Sequence, residues 1–383
     1  MARHGVLSHT EQPLQNKAYF SRHINITYLV DDFMAAFRSA SLLFLAALIL
    51  FTAMVPGCNS GAGGGQAGET VELLNASYDP TRELWKGLNE AFASQYQQET
   101  GKTVTIKQSH GASASQARAI IDGLEADVAT LSIWSDTDAL RKQGMLKDQW
   151  EEGLPNRSLP YTSTVVFVVR KGNPKGVKDW SDLSQPNVVV ITPNPKTSGN
   201  GRLSFLAAWG SVILGGGTEE QAREFVTKLY RNVPVLDTGA RGSTATFAMK
   251  GIGDVHLTME SEAYLEVKES KGELEVVYPP LSILHEPHIT VVDKVVDRKQ
   301  TRAAAEAYLK FLYTPKGQEI IAKNYYRPTD PTVAAKYASQ FPQLKLFAIT
   351  ELVSNWDEAQ GKFFAEGSIF DGIYRPVDAL NKK

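Results

Sequence analysis

The chain has 383 residues, 43% apolar and 21% charged, long enough for two or three domains with substantial cores. Its 40 Lys and Arg against 42 Asp and Glu leave a formal charge of −2, so bulk electrostatics favour neither nucleic acid nor an anionic membrane surface. A site for an anion in such a chain has to use local dipoles rather than net positive charge.

From Leu42 to Val55 the sequence is almost uninterruptedly apolar, then meets Pro56-Gly57-Cys58 and a Gly/Ser-rich stretch, Asn59 to Gly68. At about 14 residues the run falls short of the roughly 20 a membrane span needs and suits a signal-peptide core, with Arg38 as its positive flank. Residues 1–33 carry no such pattern, and a start at Met34 would leave a signal peptide of ordinary length. Cys58 follows an apolar core and a glycine and resembles the lipidated cysteine of a bacterial lipoprotein, although Pro56 departs from the small or hydroxyl residue usual there. Lipidation, cleavage with release, and an uncleaved anchor stay open. As the one cysteine of the chain it forms no intrachain disulfide and says nothing of redox compartment.

Beyond this tether, strand-like and helix-like patterns alternate. Val71 to Leu74 reads as a strand, and Thr81 to Tyr96 as an amphipathic helix through Leu84, Trp85, Leu88 and Phe92, with Asp79-Pro80 at its start. Val104 to Ile106 is the next strand, Ser115 to Asp122 a helix, and Ala126 to Leu131 a strand. Thr164 to Val169 and Val188 to Ile191 are buried-type strands, apolar on consecutive positions. Helices follow through Leu203 to Trp209 and over Glu219 to Tyr230, then a strand at Val233 to Leu236 and a helix at Ser243 to Met249. Asp254 to Thr258 and Thr290 to Val292 are strands, and the remainder, from Thr301, is mainly helical. Strands alternating with helices imply an α/β protein with parallel sheets covered on both faces.

Such sheets bind ligands outside the carboxyl ends of their strands. Three Ser/Gly stretches stand at that position: Ser109 to Ser115, Thr197 to Gly201, and Thr238 to Ser243; Tyr78-Asp79-Pro80 is a fourth junction. A helix N-terminus leaves amides without intrahelical partners and carries about half a positive charge, small residues let an anion approach, and Ser adds a hydroxyl donor. Each stretch alone is an ordinary helix cap. Four together point to a receptor for a small oxyanion.

The segments Leu74 to Glu83, Gln108 to Gly111, Val165 to Pro174, Ile191 to Lys196, Leu236 to Thr244 and Glu306 to Lys310 resemble the bacterial periplasmic sulfate-binding proteins, over about Glu72 to Asp371. The resemblance implies a two-lobed periplasmic binding protein of type II, each lobe a mainly parallel sheet flanked by helices, that hands its anion to an ABC importer's permease as a monomer. It implies no cofactor or metal. The expected boundaries are residues 1–57 for extension and signal, 58–70 for the tether, 71–160 for the first part of lobe 1, 161–289 for lobe 2 with hinge crossings at both ends, and 290–383 for the rest of lobe 1. Carried onto matching positions, the anion's donors are the Asp79 amide, the Ser113 amide and hydroxyl, the Ser198 hydroxyl, and the Gly199 and Ala240 amides. Asn200 stands where the family has a second glycine and keeps its amide. The Asp79 carboxylate is expected to cap the helix at Thr81–Arg82. Arg241 would either hold carbonyls behind the binding amides or form an interlobe salt bridge. Met259 replaces a tryptophan whose indole N–H donates to the anion. Either Thr258 or a water compensates, or the ligand preference has moved, for example to thiosulfate.

Other readings carry less. No G-x-S-x-G elbow occurs, so no hydrolase is indicated. Gly101-Lys102-Thr103 ends like a phosphate-binding loop, but Tyr96 occupies the earlier glycine position. His285-Glu286-Pro287-His288 hints at metal ligands, and the proline favours a loop or hinge. Molybdate, phosphate or an organic acid on the same scaffold, and a purely structural lipoprotein, complete the alternatives.

Overall fold

The computed structural model describes residues 70–374; the apolar run, Met34 and Cys58 lie outside them. Strand β1 (Thr70–Tyr78) pairs in parallel with β2 (Thr103–Gly111) and with β3 (Val128–Thr130), and β10 (Ile289–Val291) closes the sheet antiparallel to β3. Period-two alternation sends the side chains of this sheet to two cores. Leu73 and Val128 join Trp85, Leu88 and Phe92 of helix α1 (Arg82–Thr100) and Tyr308 of the C-terminal helix Arg302–Phe311. Ala76 and Ala129 face Ala117 and Ile120 of α2 (Ser113–Ile121) and Leu140 of α3 (Trp134–Lys142). Helix α1 ends where Gly101 takes φ +72°, a left-handed cap returning its N–H to the Gln97 carbonyl, which gives Gly101-Lys102-Thr103 a structural role.

The second sheet is built on β4 (Tyr161–Arg170). Strand β7 (Val255–Met259) runs antiparallel to β4, and β5 (Val190–Pro193) continues parallel to β7, with β6 (Leu236–Asp237) parallel to β5. Strands β8 (Leu274–Val277), β9 (Leu281–His285) and β11 (Arg327–Pro328) also pair antiparallel with β4. The first sheet is thus parallel but for its edge, and the second is mixed, parallel across β5, β6 and β7 and again where a late strand, residues 345–347, joins β9. The physical reason lies in β4, buried from Ser163 to Val169, which runs against all its neighbours in that sheet.

The C-terminus departs from the boundary expected at 290–383. Strand β12 (Lys345–Phe347) pairs with β9 of the second sheet, and Phe347, Phe363, Phe364 and Phe370 bury against Phe205 and Trp209 in the second core. Residues 345–374 therefore pack with the second lobe, because their aromatic side chains fill its outer face. Strands β8, β9 and β12 and helix α3 have no counterpart in the sequence reading; they are short, and Pro279-Pro280 interrupts the apolar pattern between two of them.

Candidate anion-binding cleft

Parallel β1, β2 and β3 end at one edge of their sheet, at Tyr78, Gly111 and Thr130, and β5, β6 and β7 end likewise at Pro193, Asp237 and Met259. A cavity of about 10 Å³ lies where these edges meet. Tyr78, Asp79, Pro80, Ala112, Ser113 and Ser132 line it from the first lobe, Ser198, Gly199, Asn200 and Ala240 from the second. All six residues expected to hold the anion are among them. The space is well below the roughly 300–1,000 Å³ of pockets for drug-sized ligands.

The lobes are in close contact here. A Cβ on Gly199 would come within 2.6 Å of both Cβ and Oγ of Ser132, and one on Gly239 within 2.6 Å of Asp79 Oδ2. The Gly199 approach requires glycine, because the Ser132 Cβ it meets is fixed to the backbone.

The donors follow from helix ends. In α2 the first helical bond is Gln116 N–H to the Ala112 carbonyl (2.9 Å), so the amides of Ser113, Ala114 and Ser115 have no intrahelical acceptor. Helix α4 (Gly199–Ile213) begins its ladder at Arg202 N–H to Ser198 (3.0 Å), and α5 (Ala240–Thr244) at Ser243 N–H to Gly239 (3.3 Å), which frees the amides of Gly199, Asn200 and Ala240 in the same way. The hydroxyls are arranged to donate. Ser113 Oγ accepts the Ser132 N–H (2.9 Å) and Ser198 Oγ accepts the Gly201 N–H (3.3 Å), so each keeps its hydrogen for another partner. The Ser109–Ser115 and Thr238–Ser243 stretches are less loop than expected: Ser109 to Gly111 finish β2, and α5 begins at Ala240, so the junctions are one or two residues long.

Asp79 does not cap with its side chain. Its Oδ1 accepts from Arg82 (3.0 Å), while the Thr81 hydroxyl bonds the Tyr78 carbonyl (2.6 Å). Pro80, with no N–H, leaves a cap at this turn one donor short. Asn200 is the second residue of α4, where helical dihedrals suit any side chain, and its Nδ2 donates to the Leu257 carbonyl (3.3 Å). Met259 is buried among Val165, Leu257 and Leu203 in the second core and is not among the residues lining the cavity. The junction after β7 is closed to an anion by a carboxylate of its own: Glu260, first residue of the helix Glu260–Glu269, takes both Nε and Nη2 of Arg327 at 2.8 Å.

Two ion pairs join the lobes beside the cavity. Asp136 of α3 and Arg202 of α4 meet at 2.6 Å, each side chain 6% exposed. Arg241 reaches Glu83 of α1 at 2.5 Å and Glu262 at 3.3 Å. Of the two roles open for Arg241, its contacts are those of the interlobe salt bridge. Burial pushes the Glu262 carboxyl up to about 8 against the pull of Arg241, and Arg241, itself weakened by burial, is raised overall by Glu262 and Glu83.

Ser132 was not foreseen. It follows β3 with no glycine beside it, inside the apolar run Ala129 to Ile133, so nothing in the local pattern marks a junction. Its carbonyl accepts from His285 Nε2 at 2.7 Å. His285 and His288 belong to no metal site: among the described residues no group of three or more His, Cys, Asp or Glu side chains is placed to hold an ion. Both are buried, and desolvation pulls each imidazole down to about 4.

The model of the bacterial extracellular solute-binding protein family matches residues 85–327. The sulfate-binding protein of Escherichia coli K12 is 54% identical over 79% of this chain and 93% of its own length. The chain is a member of the sulfate-binding protein family. The thiosulfate-binding protein of Pseudomonas aeruginosa is 49% identical over 82% of this chain and 95% of its own length. Among solved structures, the sulfate-binding protein SubI of Mycobacterium tuberculosis superposes with a TM-score of 0.71 at 32% identity, covering 77% of this chain and 99% of that one. The two sheets flanked by helices are those of type II periplasmic binding proteins, the fold expected from the sequence.

Proposed function

We propose that this member of the sulfate-binding protein family captures sulfate between its lobes and delivers it to the permease of an ABC importer. One observation carries the reading: unpartnered amides from three helix starts and serine hydroxyls with their acceptor sides already occupied line a single small cavity. Sulfate at neutral pH has four oxygens that only accept, and each meets a donor. Phosphate retains a proton, which in a donor-only site finds no acceptor; an unsatisfied buried polar group costs about 1–3 kcal/mol. The 54% identity to a sulfate-binding protein supports the same ligand.

The anion touches Asp79 and Ser113 on one lobe and Ser198, Gly199, Asn200 and Ala240 on the other, so it favours the closed form by differential affinity. The chain would cross between lobes near Tyr161–Thr164 and Leu284–Ile289, and the permease would read the closed rims. Export by the apolar segment, with or without a lipid on Cys58, would place a monomeric receptor in the periplasm, acting by binding and release without turnover. Competitive titration of sulfate, thiosulfate and molybdate on the purified protein tests the ligand. Sulfate is expected to bind tightest; preferential thiosulfate binding would reassign the cargo, and weak binding of all three would remove the reading.

A further inference from the structure

The cleft holds one more hydroxyl than the Ser/Gly stretches of the sequence supply. Ser132 is 2% exposed and lines the cavity at the end of β3. Every other polar group of this residue is committed. Its N–H goes to Ser113 Oγ at 2.9 Å, and its carbonyl accepts from His285 Nε2 at 2.7 Å. A carbonyl cannot donate, so His285 carries its hydrogen on Nε2. His285 Nδ1, buried and without a partner, fits that tautomer. Ser132 Oγ also lies 3.1 Å from Nε2, and toward a nitrogen that bears the hydrogen it can only accept. The hydroxyl hydrogen has no other partner among the described residues. It belongs to an oxygen that sits against the Gly199 backbone, where a Cβ would meet it at 2.6 Å.

We propose that Ser132 is a further anion-binding residue of this cleft, its hydroxyl turned toward the ligand by His285. His285 acts here as a positioning residue: it does not line the cavity, and Tyr78, edge-on to its ring with centroids 5.7 Å apart, fixes its plane. The inference rests on the sulfate reading of the cleft and adds to it a contact that none of the four junctions read from the sequence provides. The same logic places Ser132 beside Ser113 and Ser198, the other two serines lining the cavity, whose lone pairs are taken by a protein N–H.

Calorimetric titration of sulfate into wild type, Ser132→Ala, Ser198→Ala, His285→Leu and His285→Gln separates the outcomes. Ser132→Ala removes one oxygen, adds no bulk against Gly199, and leaves both backbone bonds of residue 132 in place. It is expected to weaken sulfate about 10- to 100-fold, the range for one hydrogen bond to a charged group. His285→Leu should weaken binding to a similar degree and His285→Gln, which keeps an N–H, should recover most of it. The double variant Ser132→Ala/His285→Leu should bind no more weakly than Ser132→Ala alone, which a merely structural role for the imidazole would not produce. Unchanged affinity in Ser132→Ala, with Ser198→Ala weakened, overturns this proposal and leaves the sulfate reading standing. Failure of the wild type to bind sulfate overturns that reading itself. Should thermal unfolding show His285→Leu misfolded, Ser132→Ala and His285→Gln decide alone.

Discussion

Gly199 and Ser132 touch across the cleft so closely that a single methyl on Gly199 would overlap both Cβ and Oγ of Ser132 at 2.6 Å. One residue comes from the first turn of α4 and the other from the end of β3, so the contact exists only while the lobes are together. Gly199→Ala is therefore expected to hold the lobes apart. Sulfate affinity should fall by at least about tenfold while the thermal midpoint without ligand changes by no more than a few degrees, since Ala is favoured over Gly within a helix. Calorimetry and thermal unfolding read the two effects separately; equal affinity would mean the closed contact is not needed for binding.

The Asp136–Arg202 pair is buried, at 6% exposure on each side, and spans the lobes. Removing one partner of a buried pair leaves an uncompensated charge, a cost of about 3–5 kcal/mol. Asp136→Asn should weaken sulfate binding strongly, and the loss should appear mainly as faster release in stopped-flow measurements. A partial recovery in Asp136→Leu/Arg202→Met would identify the unpaired charge as the cause; no effect of Asp136→Asn would show that Arg202 finds another partner.

Acid should destabilise the protein through its buried imidazoles. His285 and His288 sit at about 4 in the folded state because burial disfavours their charged form, against about 6.5 unfolded. The unfolded chain then binds more protons, so this stability is complete above about pH 6.5 and is lost as pH falls toward 4. At pH 5 the loss is about 2 kcal/mol for each histidine. Glu262, whose carboxyl burial raises to about 8, gains stability over the same range, so the variant decides: from pH 7 to pH 5 the thermal midpoint of His288→Gln should fall less, or rise more, than that of wild type, and parallel profiles would contradict the burial argument.

The terminal segment belongs to the second core, and Phe363 tests it. This side chain is fully buried against Trp209 and Phe205. Phe363→Ala should cost about 3–5 kcal/mol in chemical denaturation. A loss under about 1 kcal/mol would return residues 345–374 to the surface.

The site was more legible in the sequence than the fold around it. Asp79, Ser113, Ser198, Gly199, Asn200 and Ala240 could be placed because glycine, serine and proline at strand-to-helix junctions have local geometric causes, and all six line the cavity. Ser132 could not, because its neighbours Leu131 and Ile133 are buried core residues and the junction uses no glycine. The antiparallel pairing of β4 and the return of β12 to β9 depend on contacts between residues far apart in the chain, such as Ser282 Oγ to the Val165 carbonyl (2.7 Å), for which no local pattern exists. The side-chain role of Arg241 was likewise set by Glu83 and Glu262, neighbours that only the folded chain brings beside it.

The donor-only cleft is tested most directly by titrating sulfate and phosphate separately into the purified protein at neutral pH, alongside Ser198→Ala and Ser113→Val. Sulfate should bind at least about 100-fold more tightly than phosphate, with Ser198→Ala weaker than wild type and Ser113→Val weaker still. Equal affinity for the two anions, or sulfate binding untouched by both substitutions, would contradict the account.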